Sequence, residues 1–508
     1  MMNEATLPSG WKITALENVC ELVAGNPAPQ GHQYFEKGKF NFVRVQDMGR
    51  MGDSTYLSET KDKINEQAIT KLRLFPKGSV LFTKSGASTL NNQRAILGKD
   101  CYVVSHIAAA LPQAGISSEW IYFALVCVDF ADLAHSSVMP SLPLSKVKSI
   151  PVVIPPSNEQ HRIIAKIEEL FSELDKGIEN LKTAQAQLKV YRQALLKHAF
   201  EGKLTAQWRA ANPDKLEPPA ALLARIQTER EQRYRQQLQQ WEDAGKSGSK
   251  PKAPKPLPPL TAEELTELPE GWITLCVENL FDIEDGDRGE HYPTKGDFFD
   301  AGHCLFLNAK NVTKRGFAFQ EMSFISEQKH LELRKGTLKR GDMVFTSRGT
   351  LGNIAHYNES IEYEHVRINS GMFIIRDYDI SLTPDFLYYH LNSPIITNQI
   401  EKLQSGTAQP QLPIREFKSF RFVIPSKVEQ QKIVEELESK LSEIDQLDQT
   451  IKTSLQQAEA LRQSILKRAF SGQLVAQDAN DEPAAVLLAR IRAVREAQAK
   501  PSKARGAK

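Results

Sequence analysis

Two short loops each carry a basic residue and a glycine. KSGAS, residues 84–88, and SRGTL, residues 347–351, each follow a short apolar run. Lys84 and Arg348 supply the charge in these loops. A cation on a loop whose glycine allows close backbone approach can bind a phosphate, and a guanidinium can also bind O6 and N7 of guanine. The loops indicate binding chemistry, and a solvated turn is the alternative for each.

Motifs for catalysis are missing from the sequence. Asn26-Pro27-Ala28 and Asn212-Pro213-Asp214 do not complete the tetrad of asparagine or aspartate, two prolines and an aromatic residue that grips an adenine amine. Gly245-Lys246-Ser247 lacks the upstream glycine of a phosphate cradle. The 11 histidines are scattered, and the five cysteines form no CxxC pair. The sequence therefore predicts no catalytic residue and no metal ligand.

A long repeat must position these loops. Residues 159–204 and 429–474 match at a constant offset of 270 positions, and both begin with Glu-Gln. In the first copy, apolar residues recur at steps of three, four or seven, which predicts one apolar face on a helix of roughly 60 to 70 Å, and their equivalents in the second copy draw the same stripe. We expect the two helices to pack on each other, whereas two unrelated oligomerisation segments are the alternative. The predicted stripe is Ile163, Ile167, Leu170, Leu174, Ile178, Leu181, Leu188, Tyr191 and Leu195, then Ile433, Leu437, Ile444, Ile451, Leu461 and Ile465.

Each repeat follows a globular segment that is itself duplicated. LPSGW at 7–11 returns as LPEGW at 268–272, and the proline-rich segment 136–156 returns at 406–426. FNFVRVQDM at 40–48 and LFLNAKNV at 305–312 predict central strands, and residues 117–128 and 383–394 predict short helices. The predicted boundaries are 1–156 for the first domain, 157–245 for the first helical repeat with a short charged helix, 246–265 for a Pro/Lys-rich linker, 266–426 for the second domain, 427–496 for the second helical repeat and 497–508 for a basic, disordered tail.

Composition is that of a soluble globular protein with several domains. The 508 residues include 41% hydrophobic and 25% charged residues and carry a formal net charge of +2, which leaves the partner undecided. No basic segment followed by an apolar one opens the chain, and no apolar run approaches about 18 residues. We therefore expect a cytoplasmic protein with reduced cysteines and no membrane partner.

Together, the tandem LP-x-GW domains, the proline-rich exits and the EQ-initiated helices ending in AF-x-G-x-L resemble the specificity subunit of type I restriction-modification enzymes over residues 7–491. The resemblance implies an α+β fold. In it, two mixed target recognition domains stand in tandem, each followed by a long helix, and the helices form an antiparallel coiled coil with pseudo-two-fold symmetry. It implies a subunit that is not catalytic by itself and that reads an asymmetric, bipartite site in double-stranded DNA, one half-site per domain.

The resemblance also implies partners. These are two methyltransferase (modification) subunits carrying S-adenosylmethionine and two restriction/translocase subunits using ATP and magnesium, with no cofactor on this chain. An exposed helix face is the expected docking surface, comprising Glu168, Glu169, Glu173, Lys176, Lys182, Arg192 and Lys197. A merely solvated face is the alternative for each residue.

The residues expected to contact DNA lie in the two glycine loops, after the predicted central strands and before the prolines. They are Arg44, Gln46, Lys84, Ser85, Ser136, Ser137, Asn308, Lys310, Arg348, Thr350, Ser405, Thr407 and Gln409. Two other functions remain open: a coiled-coil scaffold with two protein-binding modules and no DNA contact, and a single-chain restriction enzyme that cleaves or methylates by itself.

Overall fold

The computed structural model describes residues 7–51, 54–134, 140–246, 250–261, 267–377, 382–406 and 410–499. The chain divides into two compact units. The first joins the described residues of Met1–Leu181 to those of Lys452–Lys508, and the second is Lys182–Ile451. Each unit thus contains one duplicated domain and a part of each long helix.

The domain of the first unit is built on three sheets. Lys12–Ala15 pairs antiparallel with Pro151–Ile154, so that the entry and the exit of the domain lie together. One sheet has five strands, in the order Cys20–Ala24, Ile107–Pro112, Val80–Thr83, Arg94–Leu97 and Tyr56–Leu57; another has four, in the order Asp62–Ile64, Phe40–Val43, Cys101–Val103 and Leu74–Phe75. The α-helices of the domain are Val45–Gly49, Glu66–Ile69, Ser118–Val126 and Leu144–Lys148.

The second unit repeats this plan. Ile273–Cys276 pairs antiparallel with Arg421–Ile424. Its larger sheets run in the order Asp282–Asp285, Met372–Arg376, Met343–Thr346 and Ile354–His356, and in the order Phe324–Ile325, Cys304–Leu307 and Val366–Ile368, beside a small hairpin of Val312–Thr313 and Gly316–Phe317. The α-helices of the domain are Glu327–Glu332, Pro384–Leu391, Pro394–Leu403 and Ile414–Lys418.

The predicted central strands are central, but they are shorter than the sequence pattern indicates. Phe40–Val43 lies between two neighbours in its sheet, and so does Cys304–Leu307. Arg44 then caps the short helix Val45–Gly49, and Asn308 caps a 3-10 turn. The polar ends of both segments therefore belong to a turn at the strand end and not to the strand.

The long helices are Ser157–Phe200 and Lys427–Phe470. In the second unit, Gln185 contacts Asp448 at 3.0 Å and Arg192 contacts Asp445. Residue numbers rise along one helix as they fall along the other, so the segments run antiparallel. The first unit also pairs segments of the two helices, through an ion pair of Asp175 with Arg462. The predicted fold class, two tandem mixed domains with packed long helices, is confirmed.

The predicted apolar stripe is buried near both ends of each helix and at Ile444 and Ile451 of the second helix, and it is half-buried along the middle of the first. Ile163, Ile167, Ile433 and Leu437 have no exposed surface. Tyr191 and Leu461, which the periodicity assigns to the buried face, are 50% and 51% exposed, so that prediction is wrong for these two residues. A pair of helices without a third partner covers only a narrow strip of each, which explains the difference.

The segment after the first long helix folds back on the second domain. Helix Pro219–Asp243 buries Leu222 and Ile226 in the same core as Trp272. Leu257 and Leu260 also pack against this core, which differs from the predicted exposed linker. In the first unit, helix Ala484–Ala499 buries Ala484, Leu487 and Ile491 and extends three residues into the predicted tail. Residues 500–508 lie outside the described residues.

The duplicated motifs form a buried hydrogen bond between domain and helix. Trp11 Nε1 donates to Glu159 at 2.9 Å, and Trp272 Nε1 donates to Glu429 at 3.0 Å. Thr205 and Arg209 also donate to Glu429, at 2.7 Å for the hydroxyl and 2.6 Å for the shortest guanidinium contact. The LP-x-GW and Glu-Gln motifs recur together because each supplies half of this contact.

Candidate nucleic-acid interface

In the second domain, buried hydrogen bonds close the loop around Arg348. Thr346, with no exposed surface, donates its hydroxyl to the Thr350 carbonyl and accepts from Asn353 N–H at 2.9 Å. The backbone N–H groups of Ser347 and Arg348 donate to the Gly371 carbonyl at 2.8 and 3.2 Å. A φ of +75° at Gly349 suits glycine at this turn. The loop is therefore a fixed platform.

The Arg348 side chain is exposed, and it forms no ion pair with any described residue. Its backbone bridges to Gln411, which in turn exchanges two 2.9 Å hydrogen bonds with Ser405. Thr350 Oγ1 lies 3.5 Å from the Ala309 carbonyl, beside the turn that holds Asn308 and Lys310. The structure thus brings five predicted residues of this domain to one end of its sheets: Asn308, Lys310, Arg348, Thr350 and Ser405.

The first domain holds its loop in the same way. Thr83 donates its hydroxyl to the Ser88 carbonyl at 3.1 Å. Lys84 N–H donates to the His106 carbonyl at 2.9 Å, and Leu142 N–H donates to the Lys84 carbonyl at 2.8 Å. Ser85 Oγ lies 2.8 Å from His106 Nδ1. This loop is equally fixed, but its serine already has a side-chain partner.

The two basic residues occupy positions one residue apart. In the first domain, Leu142 N–H donates to the Lys84 carbonyl, and Ser85 forms a β-bridge with Ser141. In the second domain, Leu412 N–H donates to the Ser347 carbonyl, and Arg348 forms a β-bridge with Gln411. Lys84 therefore corresponds to Ser347. Because successive side chains of an extended segment point to opposite faces, Lys84 and Arg348 present their charges differently. The sequence suggests comparable loops, and the register shows that the cations are not equivalent.

The remaining predicted residues differ in their availability. Arg44 is half-buried, forms an ion pair with Asp62 and lies 5.4 Å from the centroid of the Phe35 ring. Gln46 is exposed. Lys310 forms a 2.7 Å ion pair with Glu321, and the Asn308 side chain accepts from Lys310 N–H at 2.9 Å. Ser136, Ser137, Thr407 and Gln409 lie outside the described residues. The DNA contacts of all of these residues stay predictions.

The expected docking face is largely open. Six of its residues are exposed, namely Glu168, Glu169, Glu173, Lys176, Lys182 and Lys197. Arg192, by contrast, is half-buried against the second long helix, where it pairs with Asp445. Its place on an outer face is therefore wrong, because the charged edge of a helix pair also faces the partner helix.

Several groups in this molecule escape a reading of the sequence. His106 and Gln411 hold the two glycine loops. His106 lies in no motif, and Gln411 belongs to the proline-rich segment 406–426 but is not among the predicted residues. His303, His330 and His365 also meet, which the scattered histidines of the sequence do not predict; burial and the nearby Arg367 guanidinium lower the pKa of His330. Spacings of 27 and 35 residues between these histidines match no ligand motif, so only the fold brings them together.

The thiols do not suggest covalent catalysis. All five cysteines are free. Burial raises the pKa of Cys101 to about 11 and that of Cys304 to about 12, which keeps both protonated and poorly nucleophilic at neutral pH.

Among the described residues, no helix has the length and apolar character needed to cross a membrane.

The paired domains, proline exits and antiparallel helices define a class of protein. A sequence profile of the type I restriction modification DNA specificity domain matches residues 8–183 and 269–457, well over half of the chain, and the chain belongs to this family. It is 22% identical over 526 residues to the type I restriction enzyme EcoKI specificity subunit of Escherichia coli K12, with 98% of each chain covered.

Two other relatives match in part. The MjaIX specificity subunit of Methanocaldococcus jannaschii is 28% identical over 208 residues, covering 40% of this chain and 46% of that protein. The EcoDI specificity subunit of Escherichia coli is 41% identical over 106 residues, covering 20% and 24%. The chain thus spans under half the length of these two relatives.

Solved structures share the fold. A chain from a type I R-M system, studied for its complex assembly and conformational transition, gives a TM-score of 0.64 at 16% identity, with 92% of this chain and 99% of that chain covered. The HsdS subunit from Thermoanaerobacter tengcongensis gives a TM-score of 0.50 at 17% identity, with coverage of 92% and 98%.

Proposed function

We propose that this chain is the DNA-binding specificity subunit of a type I restriction-modification complex. Each globular domain reads one half of an asymmetric, bipartite target. The long helices carry the modification and restriction subunits. The chain itself does not methylate or cleave.

One observation supports this proposal most directly: the same buried frame carries different residues in its two loops. Thr83 and Thr346, at equivalent positions, close the loops by donating their hydroxyls to the carbonyls of Ser88 and Thr350. Ser85 of the first loop occupies the position that Arg348 occupies in the second. Ser85 is hydrogen-bonded to His106, whereas the Arg348 side chain is exposed. A duplicated scaffold with unlike end groups suits two unlike half-sites, since base edges are distinguished by the donors and acceptors that meet them.

Arg348 is the residue from which we expect direct base readout. Its backbone is held at Gly371 and Gln411, so binding orders the side chain but costs little further backbone freedom. A planar guanidinium can form two parallel hydrogen bonds to guanine, whereas an ammonium acts as a point charge. Replacement by lysine therefore separates base reading from phosphate attraction.

The test measures binding of the chain, assembled with its methyltransferase partner, to a library of duplexes. R348A is expected to weaken specific binding by about 1 to 3 kcal/mol and to relax one base position, and R348K is expected to relax the same position while retaining more affinity. K295A, which changes an exposed residue of the 3-10 turn Lys295–Asp297, is the control in the same domain. Binding by the wild type that shows no sequence preference would exclude the proposal and favour a scaffold without DNA contact.

The partner assignment is tested by stoichiometry. We infer two methyltransferase subunits, which bring S-adenosylmethionine, and two translocating nuclease subunits, which use ATP and magnesium. The open charged face of the first long helix supports docking there, so E173K combined with K176E should weaken assembly in native mass spectrometry. Methylation or cleavage by the isolated chain would instead favour a single-chain enzyme.

A further inference from the structure

The second domain contains a cluster of three imidazoles. His303 directly precedes strand Cys304–Leu307, and His365 directly precedes strand Val366–Ile368, which pairs with it in parallel. His330 lies in helix Glu327–Glu332. The rings of His303 and His365 stack with centroids 4.2 Å apart, and each lies 5.5 to 5.6 Å from the His330 ring.

The geometry allows the three nitrogens to converge. One ring nitrogen from each histidine lies within 4.8 Å of the other two. His303 and His365 are exposed and His330 is half-buried, so the cluster is open to solvent on one side. Three imidazoles without a carboxylate suit zinc, cobalt, nickel or copper and do not suit magnesium or calcium, which prefer oxygen.

An arginine shares the third histidine. Arg367 Nε donates to His330 Nδ1 at 3.0 Å, which leaves Nε2 as the protonated nitrogen of the neutral ring. The other guanidinium nitrogens donate to the carbonyls of Lys335, His330 and Leu333 at 2.7 to 3.0 Å. A metal can bind His330 at Nδ1 itself, or at Nε2 after the ring proton moves to Nδ1, and either change breaks the Arg367 Nε hydrogen bond. The three carbonyl contacts still hold Arg367 in place. The loss of that hydrogen bond and the nearby guanidinium charge make the site weaker than a closed four-ligand site.

The first domain provides an internal comparison. The residues before its equivalent parallel strands are Lys39 and Asp100. Lys39 pairs at 3.4 Å with Glu66 of the helix that corresponds to the one holding His330. An ordinary ion pair therefore occupies the equivalent position in the first domain, which shows that the fold shared by the two domains does not require an imidazole cluster there.

The cluster lies away from the candidate nucleic-acid interface. His303 and His365 precede their strands, whereas Asn308 and the Gly371 carbonyl that binds the Arg348 loop follow the same strands. A strand of four residues spans about 13 Å. The inference therefore does not depend on how the loops read DNA.

We propose that His303, His330 and His365 bind one divalent transition ion of the zinc class and leave a coordination position open to solvent. The ion joins the start of two strands to the helix Glu327–Glu332. It stabilises that edge of the second domain.

The test uses the full chain after removal of metals by a chelator. Isothermal titration with zinc chloride should show one saturable site, cobalt should give the visible absorption of a site with nitrogen ligands, and magnesium should show neither. The variants H303A and H365A should each weaken zinc binding at least tenfold, and the doubly substituted chain should lose the site. H330Q keeps an acceptor for Arg367 and should weaken binding similarly without loss of fold.

H32A, at an exposed histidine of the first domain, is the matched control and should bind zinc as the wild type does. No saturable uptake, or uptake unchanged in the doubly substituted chain, would overturn the proposal. Specific DNA binding should be unchanged in H303A and H365A. Loss of DNA binding by R348A with zinc uptake intact would concern the proposed function alone.

Discussion

The two buried glutamates that receive a tryptophan N–H have different surroundings. Glu429, 1% exposed, also accepts from Thr205 and Arg209, and Arg209 is largely buried beside it. Glu159, also 1% exposed, accepts from Trp11 and lies near the Gln477 amide and the half-buried Arg162 guanidinium. Ala479 stands in the repeat where the first copy has Arg209. Burial raises the pKa of the Glu159 carboxyl. The same change at the two positions should therefore have unequal effects.

We expect E429Q to destabilise the second unit by about 2 to 4 kcal/mol, because it leaves the Arg209 charge without its buried partner and weakens up to three hydrogen bonds. E159Q keeps an acceptor for Trp11 and removes a poorly solvated charge, so its cost should stay below about 1 kcal/mol. Calorimetry gives the overall loss of stability, and hydrogen exchange assigns it to segments 205–211 and 427–437 or to 157–167.

Equal losses in the two variants would refute this reasoning. So would a loss below about 1 kcal/mol in E429Q. The double variant R209M with E429Q should recover part of the loss, since removal of both charges leaves no unpaired ion. A fully additive double variant would show that the two side chains act independently.

Three further predictions concern the second unit. Burial lowers the pKa of His390 to about 3. Between about pH 6 and pH 3 only the unfolded chain binds the His390 proton, so this group lowers the free energy of unfolding by about 1.4 kcal/mol for each pH unit of acidification. H390Q, which can still accept from Val423 N–H, should remove this contribution in urea titrations at pH 5 and 7. T346V should cost about 1 to 2 kcal/mol and speed hydrogen exchange in residues 347–353, because the hydroxyl closes that loop. L437A should cost about 2 to 5 kcal/mol in thermal unfolding, whereas L447A, at a side chain that is 53% exposed, should cost less than about 1 kcal/mol.

Repetition in the sequence predicts most of the architecture. A motif that returns along the chain is expected to make the same main contact, and Trp11 with Glu159 and Trp272 with Glu429 do so. Periodicity predicts the helices but not the depth of burial along them. It assigns Tyr191 to the buried face, yet the helix pair leaves half of that side chain exposed, because burial depends on which other elements cover each turn.

The candidate site is less predictable. Both loops carry a cation and a glycine, but FTKSG and FTSRG align Lys84 with Ser347, and the hydrogen bonds of Leu142 and Leu412 agree with this register. A shift of one residue reverses the direction of a side chain, and the sequence does not show which direction each cation takes. The histidine cluster depends on pairing between strands more than 60 residues apart along the chain, so spacing in the sequence carries no signal of it.

The second unit is one continuous stretch, Lys182–Ile451, whereas the first joins the beginning of the chain to its end. Ala484 N–H donates to the Gly10 carbonyl at 2.8 Å, and Leu466, Ala469 and Leu487 complete the core around Trp11. During synthesis, the first domain therefore leaves the ribosome long before residues 466–491, which complete its core, are translated. Its apolar surface stays exposed during that time and must not aggregate or pack against other segments until helix Ala484–Ala499 has been made.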